Sequence, residues 1–270
     1  MAARKGGAGK SALAVLLARE LVRQGLKVLV LDLDPQRVGA SLRLGADVRS
    51  PLAYTAVDLV LGQRGRPFSP QPIVRDRLDL IPGNQRDLAS FERRLREMHE
   101  ERRLTLGRDA RHGMLDARLA AVEVGYHYVI VDTPTGFGEV TTSALEAAHL
   151  VLSPIDMKSA DNVESVVDLL EHLEELRGRP AVCFVPNRWV SRERQCRLAL
   201  ARARALCGPR LLTDVSVPEC AAVPRAMSEH RDLVASTETA AVLSQAVWRL
   251  GQLVIGFGFG AALAAGGVST

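Results

Sequence analysis

Short apolar runs alternate with longer amphipathic stretches along this chain. Runs rich in Val, Leu and Ile are typical of strands that are buried on both faces of a parallel sheet. The pattern predicts strands at residues 27–33, 78–82, 128–132, 150–154, 181–185 and 211–217. It predicts helices at residues 11–24, 161–176 and 192–206. This order of elements indicates an α/β fold with a mostly parallel central sheet and helices on both faces.

The composition excludes some classes of protein but does not identify a binding partner. The chain has 270 residues, 47% of them hydrophobic, which excludes a disordered or fibrous protein. A net charge of +4 permits a nucleic acid or an anionic membrane as partner but does not require one. The four cysteines form no CxxC pair and are interpreted as reduced thiols. Because the N-terminus has no apolar signal region, we expect a cytoplasmic protein.

The segment KGGAGKS, residues 5–11, precedes the first predicted helix. Its glycines allow successive backbone N–H groups to point inward and bind a polyphosphate, aided by the positive end of the helix. Lys10 is expected to contact the β- and γ-phosphates, and the Ser11 hydroxyl to bind Mg²⁺. The predicted nucleotide-binding residues are Gly6, Gly7, Ala8, Gly9, Lys10, Ser11 and Ala12.

This segment resembles the deviant Walker motif KGGxGK[ST] of the ParA/MinD ATPases, and most closely that of the ParA (Soj-like) partitioning proteins. The ordinary Walker pattern asks for glycine where this chain has Arg4. The resemblance implies a P-loop NTPase fold with ATP and Mg²⁺ as cofactors. It also implies a homodimer that sandwiches ATP, in which Lys5 acts catalytically across the interface with Lys10 of the same loop.

Two later segments, VLVLDLDPQ and YHYVIVDTPTG, resemble the next motifs of this family. The resemblance implies that Asp34 orients the attacking water, that Asp32 lies near the water shell of the metal, and that Asp132 holds Mg²⁺ through water. A carboxylate at the end of a buried apolar strand is costly unless a cation meets it, which independently favours a metal at Asp132.

The adenine site is expected late in the chain. Asn187, in the motif PNR, matches the family residue that recognises adenine, although an asparagine that only forms a turn at the strand end stays an alternative. Residues 217–230 resemble the segment that closes over the base, and Pro218 is the candidate contact in it.

Residues 191–204 contain five arginines and one acidic residue, Glu193. Partition ATPases bind DNA without sequence preference through basic residues in the C-terminal half, so the resemblance favours this stretch. A solvated helix face is the alternative. The candidates for DNA binding are Arg192, Arg194, Arg197, Arg202 and Arg204.

The chain departs from the family pattern at both ends. Only MAAR precedes Lys5, so the first strand of the fold is expected to be missing or truncated. We predict a single P-loop ATPase domain over residues 1–249 and an uncharged, Gly/Ala-rich apolar tail over residues 250–270. That tail lacks the basic residues of the amphipathic membrane helix that ends the MinD branch.

The leading hypothesis is a ParA-like ATPase that segregates plasmid or chromosome DNA with a ParB-type centromere-binding partner. It would act in the nucleoid as a DNA-bound dimer that slow, partner-stimulated ATP hydrolysis resets. Two alternatives stay open. One is a MinD-like ATPase that positions cell division on the membrane, and the other is a degenerate, non-hydrolysing DNA-binding relative.

Overall fold

The computed structural model describes residues 1–3, 6–34, 39–46, 54–62, 67–83, 88–106, 114–158, 162–176, 180–221, 223 and 237–266. The strands in these residues are β1 (Val28–Asp32), β2 (Gln71–Val74), β3 (Leu78–Ile81), β4 (Tyr128–Asp132), β5 (Leu150–Asp156) and β6 (Ala181–Asn187). The helices are α1 (Lys10–Arg23), α2 (Ala40–Arg43), α3 (Ala56–Leu61), α4 (Leu88–Leu106), α5 (Met114–Glu123), α6 (Glu139–Glu146), α7 (Ser165–Glu175), α8 (Arg194–Cys207) and α9 (Glu238–Gly266).

The strands form a four-stranded sheet in the order β2-β3-β1-β4 and a two-stranded sheet, β5-β6. All pairs are parallel except β2 with β3. Val28 lies opposite Leu78 on one side and Tyr128 on the other. The mostly parallel sheet predicted from the apolar runs is therefore confirmed, with the addition of an antiparallel edge strand that the pattern did not predict.

Residues 1–3 lie between the two sheets. The N-terminal ammonium of Met1 donates to the Val131 carbonyl at 2.7 Å, and the Ala2 N–H donates to the Leu152 carbonyl at 3.3 Å. The Thr133 N–H donates back to the Met1 carbonyl at 3.4 Å. The first strand, expected to be missing or truncated, is thus represented among the described residues by this short segment.

Helices cover both faces of the sheets because the strands are apolar on both faces. Val28 and Val30 pack on one side with α1 and α9, whereas Leu29 and Leu31 pack on the other side with α3 to α6. A third cluster joins β5 and β6 to α7 and α8. This arrangement confirms the predicted helical layers.

The predicted strand over residues 211–217 is not a regular strand. It follows β6 through a single bridge between Phe184 and Leu211 and a hydrogen bond of 2.8 Å from the Val217 N–H to the Pro186 carbonyl. An aspartate and a serine within this stretch, Asp214 and Ser216, break its apolar character.

Helix α9 continues without a break from residue 249 to residue 250, where the sequence predicted the end of the domain and the start of an apolar tail. Leu243, Leu250 and Val254 of this helix are buried in the same cluster as α1. Within the described residues, Glu238–Gly258 is long and apolar enough to cross a membrane by length and composition, a test that core helices also pass, and 39% of its window is buried. The helix therefore contributes to the core as far as Val254.

Candidate nucleotide-binding site

The turn before α1 forms an open cradle of backbone. Gly7 and Gly9 have φ angles of 81° and 91°, which residues other than glycine rarely adopt. Gly9 caps α1, and its carbonyl accepts the Leu13 N–H at 2.9 Å. The first N–H groups of a helix have no partner within it and point toward its N-terminus, so this end of α1 is suited to bind an anion.

The end of β6 holds this loop in place. The buried Asn187 side chain donates from Nδ2 to the Ala8 carbonyl at 2.7 Å. A Cβ atom on Gly9 would lie 2.3 Å from the same Nδ2, so position 9 requires glycine for space as well as for φ. The structure thus brings Asn187 to the phosphate loop, while its role in recognising adenine stays a prediction.

Three buried carboxylates lie at, or just after, the carboxyl ends of two neighbouring strands, β1 and β4. Asp32 ends β1 and Asp132 ends β4, and the two lie opposite each other in the ladder. Asp32 accepts hydrogen bonds from Ser41 Oγ at 2.5 Å, from the Ser41 N–H at 2.7 Å and from the Asp34 N–H at 3.0 Å. Asp34 is also buried. The carboxyl ends of parallel strands thus concentrate acidic groups behind the loop.

Asp132 is a buried carboxylate whose two oxygens accept no hydrogen bond within the described part of the chain. Burial raises its pKa, although the nearby Ser11 hydroxyl and the N-terminal ammonium act in the opposite direction. An orphaned buried carboxylate is costly unless a cation or a donor meets it. This group therefore fits the metal role predicted for it.

The same buried environment shifts the pKa values of Asp32 and Lys10. Burial and the neighbouring Asp132 raise the pKa of Asp32 to about 8. Burial lowers the pKa of Lys10, while Asp132 and Asp34 partly restore it. Lys10 is thus a buried amine close to the carboxylates of Asp132 and Asp34.

No three His, Cys, Asp or Glu side chains among the described residues are grouped so that they alone hold a metal ion. Mg²⁺ prefers octahedral coordination and usually keeps several waters beside one or two protein ligands and phosphate oxygens. Ser11, Asp32 and Asp132 are the residues that would hold it. Their small number fits a magnesium that arrives with a nucleotide.

The structure places the remaining predicted residues as follows. Pro218 pairs with Trp189 beyond the end of β6, and Ala12 lies in the first turn of α1. Gly6 lies in the turn of the loop, near Thr135. Lys5 lies outside the described residues.

An ion-pair network lies beside Pro218 and was not predicted from the sequence. Arg188 binds Asp156 at 2.9 Å and Glu219 at 3.1 Å, while Lys158 binds Glu219 at 2.6 Å and Glu193 at 3.1 Å. These bonds join the ends of β5 and β6 to the segment that contains Pro218. The residues are far apart in sequence, so no local pattern indicated them.

The five candidate arginines for DNA are all exposed, on α8 and just before it. Helix α8 buries its small face, which includes Cys196, Ala199 and Ala203, against the β5-β6 sheet. Arg202 pairs with Glu164 at 2.9 Å. The arginine stripe, defined as Arg194, Arg197 and Arg204, has spacings of three and seven residues, which place its members on one side of the helix.

The loop, the helix that follows it and the carboxylates at the ends of β1 and β4 are arranged as in the P-loop NTPase fold. A family model described as AAA domain matches residues 1–181. The chain belongs to this family, and it is a ParA-family ATPase.

The chromosome-partitioning ATPase Soj of Thermus thermophilus is 32% identical over 184 residues, 66% of this chain and 61% of Soj. The chain spans less than two thirds of the length of the curated relatives that it matches.

Solved structures share the fold at lower identity. The ATP complex of an McdA variant from Cyanothece has a TM-score of 0.78 at 22% identity, covering 94% of each chain. Cobyrinic acid a,c-diamide synthase from Mycobacterium smegmatis, with bound ADP and magnesium, has a TM-score of 0.71 at 23% identity and covers 94% of each chain.

Proposed function

We propose that this protein is an ATP-driven partition switch that binds DNA as an ATP-bound dimer and releases it after hydrolysis. The observation that carries the proposal is the buried carboxylate of Asp132, whose oxygens accept no hydrogen bond among the described residues. It lies opposite Asp32, behind a glycine loop that leads into the N-terminus of α1. Relatives with ParA and Soj names support the partitioning role.

Each residue of the site has a distinct task in this proposal. The backbone of residues 6–9 and the Lys10 ammonium bind the phosphates, and Ser11, Asp32 and Asp132 hold Mg²⁺. Bound magnesium would neutralise charge that develops on the phosphate oxygens. Asp34 accepts a proton from, or positions, the water that attacks the γ-phosphate. The hydrolysis would then be an in-line transfer of the phosphoryl group to water.

Dimerisation is linked to ATP through Lys5. If Lys5 of each subunit contacts the nucleotide of the other, the nucleotides add binding free energy only to the dimer. Association is then stronger with ATP and weaker after hydrolysis. A ParB-type partner that stimulates hydrolysis would time the release of DNA.

The arginine stripe is the proposed DNA surface, in a cytoplasmic, nucleoid-associated protein. Since Arg202 is paired with Glu164, about four phosphates could be neutralised by the stripe together with Arg192. The logarithm of affinity should then fall with the logarithm of salt concentration at a slope of about −3.6.

The test is cosedimentation with non-specific duplex DNA across a salt series, in ATP and in ADP. We expect binding only in ATP, and its loss in Lys10→Ala. Lys27→Ala is the matched control, because Lys27 precedes β1 at the end of the strand away from the loop. Equal binding in both nucleotides, or none in either, contradicts the proposal.

A MinD-like membrane ATPase is the second candidate, because the stretch Glu238–Gly258 has the length and composition of a membrane span. The burial of Leu243 and Leu250 against α1 argues against its release from the core. Flotation with anionic liposomes in ATP and in ADP separates this candidate from the first. A comparison of ATP turnover between wild type and Lys10→Ala identifies a non-hydrolysing relative.

A further inference from the structure

The Asp32 carboxylate at the end of β1 is held by α2 and by the residues that follow β1. Ser41, the second residue of α2, donates to Oδ2 from its hydroxyl at 2.5 Å and from its N–H at 2.7 Å. The Asp34 N–H donates to Oδ1 at 3.0 Å. Asp32 and Ser41 are both buried, so these bonds form away from water. Hydrogen bonds to a carboxylate are short and strong, and together they fix its orientation.

The Ser41 hydroxyl is itself held in place by the segment after β3. The Gly83 N–H donates to Ser41 Oγ at 3.0 Å, so this hydroxyl accepts one hydrogen bond and donates another. Two glycines permit the close approach of these segments. A Cβ atom on Gly39 would lie 2.9 Å from Asp32 Oδ2, and one on Gly83 would lie 3.0 Å from the Asp34 carbonyl oxygen. The carboxylate therefore has little room to turn.

The two oxygens of Asp32 differ in the hydrogen bonds that they can still accept. An ionised carboxylate has about four acceptor positions, shared equally between its oxygens. Among the described residues, Ser41 occupies both positions of Oδ2, and Asp34 occupies one position of Oδ1. The other position of Oδ1 is left for a further donor, and a hydrated magnesium ion offers water as such a donor. Ser41 thus determines which oxygen of Asp32 stays available.

We propose that Ser41 is a positioning residue for the magnesium site, because it holds Asp32 so that Oδ1 stays available to hydrated Mg²⁺. This rests on the proposed function, in which Asp32 belongs to that site. In this role Ser41 acts through Asp32 and does not itself bind the nucleotide or the metal. It also steadies Asp34, whose N–H donates to the same carboxylate. Removing an outer-shell partner of this kind typically lowers metal affinity or activity roughly ten- to hundredfold.

The capping box of α3 provides a matched control. Thr55 donates to Asp58 Oδ2 from its hydroxyl at 2.8 Å and from its N–H at 2.9 Å, which repeats the bonding of Ser41 to Asp32. Thr55 and Asp58 are also buried. This pair caps α3 and does not belong to the predicted nucleotide site. Thr55→Ala should therefore destabilise the fold as Ser41→Ala does, without changing the magnesium site.

The first measurement is the ratio of the ATP dissociation constant in EDTA to that in Mg²⁺, by isothermal titration well below the melting temperature of each variant. We expect Ser41→Ala to lower this ratio about tenfold and Thr55→Ala to leave it unchanged. The affinity in EDTA should stay the same in both variants, because the phosphate loop is intact. Ser41→Cys keeps a similar volume but is a weaker donor, so it should lose part of the ratio. It replaces Ser41→Ala if that variant does not fold.

The second measurement is hydrogen exchange at the Asp34 amide in the nucleotide-free protein. That amide donates to Asp32 and not to Ser41, so its exchange rate reports whether the carboxylate keeps its place. We expect this amide to exchange roughly tenfold faster in Ser41→Ala. In Thr55→Ala it should exchange at the wild-type rate.

Four results overturn the proposal. An unchanged ratio in Ser41→Ala would show that the magnesium site does not depend on Ser41. An equal loss in Thr55→Ala would mean that the effect is general destabilisation. Unchanged exchange at Asp34 would show that Asp32 keeps its place without Ser41. A wild type whose ATP affinity does not depend on Mg²⁺ would overturn the proposal together with the magnesium site.

ATP turnover tests the proposed function separately. A wild type that binds MgATP but hydrolyses none contradicts the partition switch. The magnesium ratio and the exchange at Asp34 still decide the role of Ser41 in that case, because neither depends on hydrolysis or on DNA.

Discussion

Asp32 illustrates how a single buried residue can cost stability in the service of a site. Burial and Asp132 raise its pKa from 3.8 to about 8. The folded protein therefore keeps a proton that the unfolded chain loses, and the free energy of unfolding falls as the pH rises from about 4 to about 8. We expect the nucleotide-free protein to melt at progressively lower temperature across this range.

Thermal unfolding of wild type and Asp32→Asn between about pH 5 and pH 9 checks this expectation. The variant should melt with a clearly smaller dependence on pH. Asp116→Asn, on the exposed side of α5, is the control and should keep the wild-type dependence. Parallel profiles for wild type and Asp32→Asn would contradict the assignment.

Gly9 is the most constrained glycine of the loop, because it combines a φ of 91° with a Cβ position 2.3 Å from Asn187. We expect Gly9→Ala to weaken ATP binding at least tenfold and to destabilise the protein by about 2 kcal/mol. Isothermal titration and chemical unfolding measure the two effects.

Gly7→Ala separates the two causes. Position 7 has the same backbone strain, but a Cβ there meets nothing within 4 Å. Gly7→Ala should therefore lower the free energy of unfolding by about 1 kcal/mol. In the double variant Gly9→Ala/Asn187→Ala the overlap is removed, so part of the stability lost in Gly9→Ala should return. No recovery would mean that strain alone sets the cost.

At the scale of elements, α8 tests whether the arginine stripe binds DNA. We expect Arg194→Ala/Arg204→Ala to lower DNA affinity in ATP and to reduce the slope against salt by about 2. Arg93→Ala/Arg96→Ala on α4 is a control with the same loss of charge. Binding titrations at several salt concentrations measure both the affinity and its slope. If both variants lose the same affinity, the effect comes from net charge and not from the arginine stripe.

Substitutions in α9 are expected to change the free energy of unfolding according to the burial of each side chain. Leu250 is fully buried against the α1 side of the sheet, while Val242 on the same helix is 48% exposed. Leu250→Ala should lower the free energy of unfolding by about 3 kcal/mol, and Val242→Ala by less than about 1 kcal/mol. Urea unfolding measures both. A small effect at Leu250 would favour a helix that detaches to reach a membrane.

The elements that the sequence predicted well are those with local signals. β1 and β4 are continuous apolar runs ending in aspartate, and the phosphate loop has glycines at fixed spacing. The edge strand β2, Gln71–Val74, is four residues long and begins with glutamine and proline. It pairs with an antiparallel neighbour, and no local pattern predicted it. The start of the predicted tail at residue 250 reflected loss of charge, which cannot distinguish a free tail from a helix buried in the core.

At the scale of the whole molecule, nucleotide should stabilise the fold through linkage. Because the loop, α1, β1 and β4 meet at one site, MgATP at about 100 times its dissociation constant should add about 2.7 kcal/mol to the free energy of unfolding. We expect a clear rise in the melting temperature for wild type and none for Lys10→Ala. Differential scanning fluorimetry measures both, with Lys27→Ala as the control that should respond as wild type does.

The whole site was less predictable than its parts. The loop and the carboxylates could be predicted because each follows a recognisable run of residues. The contact between Asn187 and Ala8 spans 179 positions and depends on how the two sheets meet. The network around Arg188 and Glu219 depends on the same meeting of sheets, so neither followed from sequence spacing.

The hydrogen bond from Asn187 to Ala8 has a thermodynamic consequence. β6 carries Asn187 at its end and packs against α8. The proposed phosphate loop and the helix that bears the arginine stripe therefore contact the same strand. If ATP raises the affinity for DNA by a given factor through this strand, DNA must raise the affinity for ATP by the same factor. Long DNA would then act as an allosteric ligand that retains nucleotide on the protein.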